Sequence, residues 1–218
     1  MKINIASVAG ILTMVVTTSA LAQEMKPPSS TFVEAAYVYS TASVGSPDIP
    51  DWANSSTWDQ GNGFALKGSV ALYEELLLRG SYFSGDGTEH GTDTDVTSGV
   101  VSVGWLIPTD DAVAIDIGIN YRMDNVKFKP GLDEDISGLG FGFGVRAPLT
   151  ENTEFGARLA WYQGDFDGTP GVSINFAYNI DEQWGINVFY DYIDADTSES
   201  SIPNYELIQF GLGGRFYF

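Results

Sequence analysis

After residue 30 the chain repeats one pattern: runs of about ten residues in which apolar positions alternate with polar or small ones, each run followed by a break. In Ala112–Arg122, Val113, Ile115, Ile117, Ile119 and Tyr121 share one side, and Asp116, Gly118, Asn120 and Arg122 the other. A period of two separates these sets on a strand, whereas a helix mixes them around its circumference. Ser137–Arg146 sets Leu139, Phe141, Phe143 and Val145 against Gly138, Gly140, Gly142 and Gly144. Thr153–Tyr162, Val172–Asn179 and Trp184–Tyr192 alternate in the same way. Thr31–Ser40, Gly63–Leu72, Leu76–Phe83, Val96–Leu106 and Tyr205–Phe218 do so more loosely. The pattern predicts an all-β chain of ten antiparallel strands. Losing the Gly164–Gly171 hairpin and merging one weak segment would leave eight.

The breaks are of two alternating kinds. Tyr73–Glu75, Pro108–Asp111, Pro148–Asn152 and Asp181–Gln183 are tight, while Thr41–Gln60, Ser84–Asp95, Met123–Ile136, Gly164–Gly171 and Asp194–Asn204 are mostly longer and acidic. Short turns at one end and long loops at the other are the plan of a closed transmembrane β-barrel, and an even strand number leaves both termini at the short-turn, periplasmic end. A water-soluble sandwich or lipocalin-like barrel would turn its polar faces to solvent, and those faces should then be rich in Lys, Glu and Thr. Here they carry glycine runs, Ser, Asn and single charges, which suit a crowded lumen.

In a membrane barrel the faces sort the side chains. Glu34, Lys67, Arg79, Asp116, Arg122, Arg146, Glu154, Arg158, Asp191 and Arg215 are expected in the lumen as a mixed-sign charge network. Charges are costly there unless paired or wet, so the mixture predicts a largely filled, salt-bridged interior. A narrow pore for small solutes or ions is the alternative, with Gly138, Gly140, Gly142 and Gly144 giving room. The same glycines could instead let a bulky lumen side chain lie against the wall. Tyr37, Tyr39, Tyr82, Trp105, Tyr121, Trp161, Trp184, Tyr190 and Tyr192, with Phe64, are expected as aromatic girdles near strand ends.

The rest of the chain narrows the setting. Met1–Ala22 has one lysine, an apolar stretch and Ala20-Leu21-Ala22, and reads as a cleaved secretory signal, which leaves residues 23–30 as a short periplasmic segment before a barrel over 31–218. The formal charge is -19, and the loss of Lys2 with the signal makes it -20. Such acidity argues against a nucleic acid or another anionic partner. With no cysteine, neither disulfides nor lipid attachment through a thiol is available.

Catalytic chemistry finds little to work with. The single histidine, His90, lies in a glycine-rich loop with no serine in a recognisable catalytic arrangement beside it, so no catalytic residue is expected. Asp86, Glu89, Asp93 and Asp95, with Asp165 and Asp167 in another loop, are oxygen donors without the spacing of a calcium loop. They read as solvated acidic loops, with loosely held divalent ions as the alternative, and neither a built metal site nor a cofactor is expected. Trp52, Trp58 and Phe166 are loop aromatics that could anchor a partner or pack back on the rim.

The chain ends on GRFYF, with Phe210, Leu212, Phe216 and Phe218 on one side of the last strand. With the signal and the alternating segments, this resembles the small Gram-negative outer-membrane β-barrels, the group that includes the OmpA-like, OmpX-like and opacity proteins. The resemblance implies that the last strand is an address for the barrel-assembly machinery. It also implies partners in outer-membrane lipid and lipopolysaccharide, and a structural or surface-interaction role, adhesion included, with an extracellular ligand at the loops. Some barrels of this size are hydrolases, and this chain lacks their histidine chemistry.

Overall fold

A computed structural model describes residues 31–45, 59–73, 75–89, 92–109, 113–129, 132–195 and 204–218. The expected signal, the segment 23–30, His90, Trp52 and Trp58 lie outside them. Ten strands follow in order: β1 (Phe32–Gly45), β2 (Asp59–Ala71), β3 (Leu76–Glu89), β4 (Thr92–Pro108), β5 (Ala114–Lys129), β6 (Leu132–Thr150), β7 (Thr153–Tyr162), β8 (Thr169–Asn179), β9 (Trp184–Ala195) and β10 (Asn204–Tyr217). Each pairs antiparallel with its sequence neighbours, and β1 pairs with β10 to close the barrel. Closure joins the first and last strands, so the sheet has no free edge below the level of Gly140 and Tyr162.

The registers fix the shape. From Tyr162, the ladder leads through Gly140, Asn120, Ser102, Arg79 and Ser69 to Phe32 of β1. The other way round it leads through Thr169 and, with the β8–β9 register continued to Ala195, through Tyr205 to Val44. The two arrivals stand twelve residues apart on β1. With a rise of about 3.3 Å per residue and about 4.8 Å between strands, this stagger tilts the strands by about 40° and sets a wall radius of about 10 Å. Side chains reaching inward from all sides can fill a bore of that width.

Several strands run on through segments expected as long loops. β3 and β4 stay paired to Glu89 and Thr92, and β5 and β6 to Phe128 and Leu132, so Ser84–Asp95 and Met123–Ile136 are mostly ladder. The alternation continues there, but its sense reverses. On β5 the outward side chains are Ile115, Ile117, Ile119, Tyr121 and Met123, then Asn125 and Lys127; the inward ones are Asp116 to Asp124, then Val126. On β6 the outward Phe143, Phe141 and Leu139 give way to Ser137, Asp135 and Asp133, while Ile136 turns inward and is buried. β10 repeats the switch: Phe210 and Ile208 are followed on the outside by Glu206, and Gln209 on the inside by Leu207 and Tyr205.

The reversed ends enclose a core of the kind found in water-soluble barrels. Val38, Ala42, Val96, Val126, Ile136, Ile193, Ala195, Tyr205 and Leu207 pack together inside the long-loop end with Phe83, Phe189, Tyr162 and Phe166. Phe166, from the β7–β8 turn, is fully buried beneath this lid, its turn shaped by left-handed Gly164 and Gly168. The Tyr162 and Phe166 rings pack at a tilt of 46°, 5.7 Å between centroids.

Candidate functional site

Converted into height by the tilt, the register arranges the outer face in levels. Tyr39, Phe64, Tyr82, Tyr121, Trp161, Tyr192 and Phe210 fall within about 4 Å of one level, and Tyr37 and Tyr190 about 3–4 Å below it. Trp105, Tyr178, Trp184 and Phe216 form a second level about 17 Å lower. Outward apolar side chains extend from Ile107 and Trp184 to Met123 and Ile208, about 23 Å, against about 25 Å for the lipid-facing band of an outer-membrane barrel. In the upper ring Tyr39, Tyr82, Tyr121 and Phe210 sit in mid-strand, because the wall continues about 15–20 Å beyond them, whereas Trp161 is one residue from the end of β7 and Tyr192 three from the end of β9.

At the lower level, the Trp105 indole N–H donates to Glu75 Oε2 at 2.7 Å. Phe216 packs on Trp184 at 4.9 Å and on Phe218 at 5.1 Å, while Phe210 and Leu212 stand exposed on the same outer face of β10. The Phe218 N–H reaches Thr31 O at 3.3 Å, so the last residue is still tied to the first strand.

Inside, the charged side chains form successive groups up the bore. At the seam Glu34 lies opposite Arg215 and accepts from Arg215 Nε at 3.0 Å and Nη2 at 2.9 Å. Its other oxygen accepts from Asn187 Nδ2 at 3.0 Å, and Arg215 lies over the Phe32 ring at 4.0 Å. Arg146 donates to Glu154 Oε1 from Nε at 3.0 Å and from Nη2 at 2.7 Å. Asp116 takes two guanidiniums, Arg79 Nη1 at 2.7 Å on Oδ2 and Arg158 Nη1 on Oδ1. Arg158 Nη2 also donates to Asn120 Oδ1 at 3.0 Å. Higher up, Lys67 donates to Asp191 at 2.7 Å, with its ammonium 3.2 Å from the centre of the Phe189 ring, and the Ser173 hydroxyl donates to the same carboxylate. Beneath the lid, Arg122 Nε donates to Asp124 at 2.9 Å, and that carboxylate also accepts from Ser98 at 2.7 Å and from the Tyr205 hydroxyl. Lys67–Asp191, the two guanidiniums on Asp116 and Tyr205–Asp124 join non-neighbouring strands, and these contacts brace the barrel across its bore.

The glycine-lined wall offers no room. A Cβ at Gly142 would stand 2.5 Å from Arg158 Nη2, one at Gly140 2.8 Å from the Tyr162 ring, and one at Gly138 2.8 Å from Phe166. The missing side chains are where Arg158, Tyr162 and Phe166 lie. Free volume remains in a chamber of about 240 Å³ at mid-height, lined by Lys67, Arg79, Asn120, Arg122, Arg158 and Gln209 among others. A second chamber of about 140 Å³ toward the short-turn end shares Arg79 and Arg158 with the first.

Asp124, Tyr205 and the apolar lid are absent from the sequence-based site. Asp124 follows Arg122 at the next inward position, so unbroken alternation was the available signal.

Outside, above the upper ring, the wall is polar and acidic. Asp86 faces Asp95 across β3–β4, and Lys127 stands between Asp95 and Asp133. Lys127 Nζ donates to Asp133 at 3.0 Å, and Asn125 Nδ2 donates to Asp133 at 3.1 Å and Asp135 at 2.7 Å. These hydrogen bonds, Lys127 first and Asn125 second, hold the Asp133 carboxyl below its ordinary value, and the bond to Asp133 raises the Lys127 ammonium. The loop donors Asp165 and Asp167 sit in the β7–β8 turn, where Asp165 Oδ2 accepts from the Ser137 N–H at 2.9 Å. Among the described residues no three His, Asp or Glu are placed to hold a metal ion.

No family model matches the chain, and no curated protein matches it in sequence. Solved structures do match in fold. Neisserial surface protein A is similar at 14% identity and a TM-score of 0.51, with 87% of this chain and 98% of that one covered. The translocator domain of the autotransporter NalP from Neisseria meningitidis is similar at 9% identity and a TM-score of 0.50, with 98% and 97% covered. The likeness is one of architecture, and the fold is that of the outer-membrane β-barrels.

Proposed function

We propose that this chain is an integral outer-membrane protein of a Gram-negative cell whose barrel is closed to solutes and whose projecting acidic wall is the working part, in surface interaction or envelope structure. The observation that carries this reading is the apolar lid: Val38, Val96, Ile136, Ile193 and Leu207 are buried across the outer end of the bore, above the polar chambers. A conducting path would have to cross that cluster. The two chambers, which share Arg79 and Arg158, favour the alternative, a narrow pore for small solutes, but the apolar lid lies above them.

The apolar band would face lipid, with its aromatic levels at the two interfaces and the acidic wall among lipopolysaccharide head groups or in reach of an extracellular ligand. The outward Phe210, Leu212, Phe216 and Phe218 of β10 would be what the barrel-assembly machinery reads. The sequence supports a role without catalysis through its lack of any proton-shuttling pair. Planar-bilayer recording on the refolded, signal-less protein tests the closed-barrel reading. The expected record has no steady openings, and a Val38→Gly/Leu207→Gly variant, with the lid thinned, gains them. Steady openings of the unaltered protein that disappear in Gly142→Trp would establish the pore instead.

A further inference from the structure

We propose that the outer end of β6 takes up an extended, lysine- or arginine-rich protein segment as an added strand, in line with β7 and beyond its end. This rests on the surface-interaction reading above and gives that surface its partner. β6 begins at Leu132, but β7 stops at Tyr162, whose partner is Gly140, and β8 starts only at Thr169. Above that level the β7–β8 turn covers two more positions of β6. Gln163 and Asp165 donate their backbone N–H groups to Leu139 O at 2.7 Å and Ser137 O at 3.1 Å, and Asp165 Oδ2 accepts the Ser137 N–H. Further out, the recorded pairing of β6 is with β5 alone, as far as Phe128 and Leu132.

Backbone groups along a strand point alternately to its two sides. Leu139 and Ser137 turn theirs toward the β7 side, so Asp135 and Asp133 do the same, and among the described residues nothing bonds them there. On their own strand these two residues stand about 10–15 Å above Leu139, clear of the apolar band. A row of free N–H and C=O groups at a sheet edge is a template for one more strand.

Charge decides the occupant. The edge carries Asp133 and Asp135 exposed on its outer face and Glu134 on its inner one, and Asp165 and Asp167 lie in the turn at its foot. Lys127 is bonded to Asp133, but Asp135 is bonded to the neutral Asn125 and Asp165 to Ser137. Across paired strands opposite charges are stabilising and like charges destabilising. A second copy of this chain, joined edge to edge, would bring Asp133 and Asp135 against their own kind. The outer segments 46–58 and 196–203 of the chain itself contain acidic residues and neither Lys nor Arg. The acidity that blunts this edge against self-pairing is what favours a basic strand.

The test uses the full signal-less barrel refolded in micelles of a zwitterionic detergent, with the shift of unheated protein on an SDS gel checking the fold of every variant. The probe is a fluorescent peptide of alternating Lys and Val. Its control alternates Lys and Pro, which keeps the charge but loses half the amide N–H groups and cannot continue a ladder. Binding is read by fluorescence anisotropy and by hydrogen exchange of the Asp133 and Asp135 amides. The Lys–Val peptide is expected to bind and to slow those two amides by about tenfold or more, while the Lys–Pro peptide binds more weakly and leaves them unprotected. Asp135→Asn and Asp135→Pro remove the same charge, but only the second removes an N–H, and that N–H points away from β5. Asp135→Asn should weaken binding several-fold, and Asp135→Pro by about fivefold more, the contribution of one hydrogen bond. Absence of binding by the Lys–Val peptide would overturn the proposal. Equal binding of the two peptides, or by the two folded variants, would do so by reducing it to charge attraction. Amides already protected without peptide would overturn it too: protection that rises with protein concentration would give the edge to a second copy, and protection that does not would give it to the chain's own outer segments. Planar-bilayer conductance reads the lid and not this edge, so a failure here leaves the closed barrel standing, and steady openings there leave the added strand standing.

Discussion

The Glu34–Arg215 pair sits on the seam where the first and last strands meet, and its removal should weaken the barrel in a way that can be calculated. Glu34 is 1% exposed and Arg215 4%. The carboxylate accepts two charge-assisted hydrogen bonds from the guanidinium and a third bond from Asn187. Glu34→Gln keeps the shape and one acceptor for Asn187 but leaves the Arg215 charge buried and unpaired. Breaking a buried pair from one side costs about 3–5 kcal/mol. Two charge-assisted bonds at roughly 1.5–3 kcal/mol each give the same range. Arg215→Met strands the Glu34 carboxylate and also removes the stack on Phe32, so its cost belongs at the upper end.

The double change Glu34→Gln/Arg215→Met removes both charges together and should cost less than either single change, since no buried charge is then left without its counter-charge. The assay is reversible urea unfolding in lipid vesicles followed by tryptophan fluorescence, with the four proteins forming a double-mutant cycle. A coupling energy near zero, with the double variant as unstable as the two single losses combined, would refute the reasoning. It would mean that water entering the short-turn end solvates each charge on its own.

Other outcomes follow from the reversed polarity of the wall. Ile119→Arg, on the outer face in the apolar band, should cost about 2–4 kcal/mol in vesicle unfolding, whereas Asn125→Arg, three turns of the pleat higher on the same face, should cost less than about 0.5 kcal/mol. Gly142→Ala pushes a Cβ to within 2.5 Å of Arg158 and should destabilise by about 1–3 kcal/mol, while Gly80→Ala meets nothing within 4 Å and should stabilise by about 0.5–1 kcal/mol, both read in the same unfolding assay. On the projecting wall, NMR titration should place Asp133 below an unperturbed aspartate, and Asn125→Ala should move it part of the way back up. Because the folded value is the depressed one, the stability this carboxylate adds is present above its unfolded value and disappears as pH falls through the folded one. The Lys127 contribution runs the other way: it is present below the unfolded lysine value and disappears as pH rises through the raised one.

The sequence by itself determined the class of the fold, because a period of two is a local property of strands and survives without knowledge of any partner. It also determined which charged residues share the inner face, since parity along each strand is counted within that strand. All ten of the lumen charges named from sequence point into the bore, from Glu34 on β1 to Arg215 on β10.

Two things waited for the tertiary structure. One was strand length. The alternation of β5 does not stop at Arg122; it changes sense at Asn125 and Val126, because beyond the upper aromatic level the outside is polar and the inside holds the apolar core. Read as one continuous preference for apolar residues outside, that change looks like a loop. The other was pairing across the bore. Asp116 meets Arg158 from 42 positions away, and Gly142 leaves space for that same guanidinium. Such contacts depend on the twelve-residue stagger and the wall radius, quantities of the closed sheet as a whole that no single strand carries.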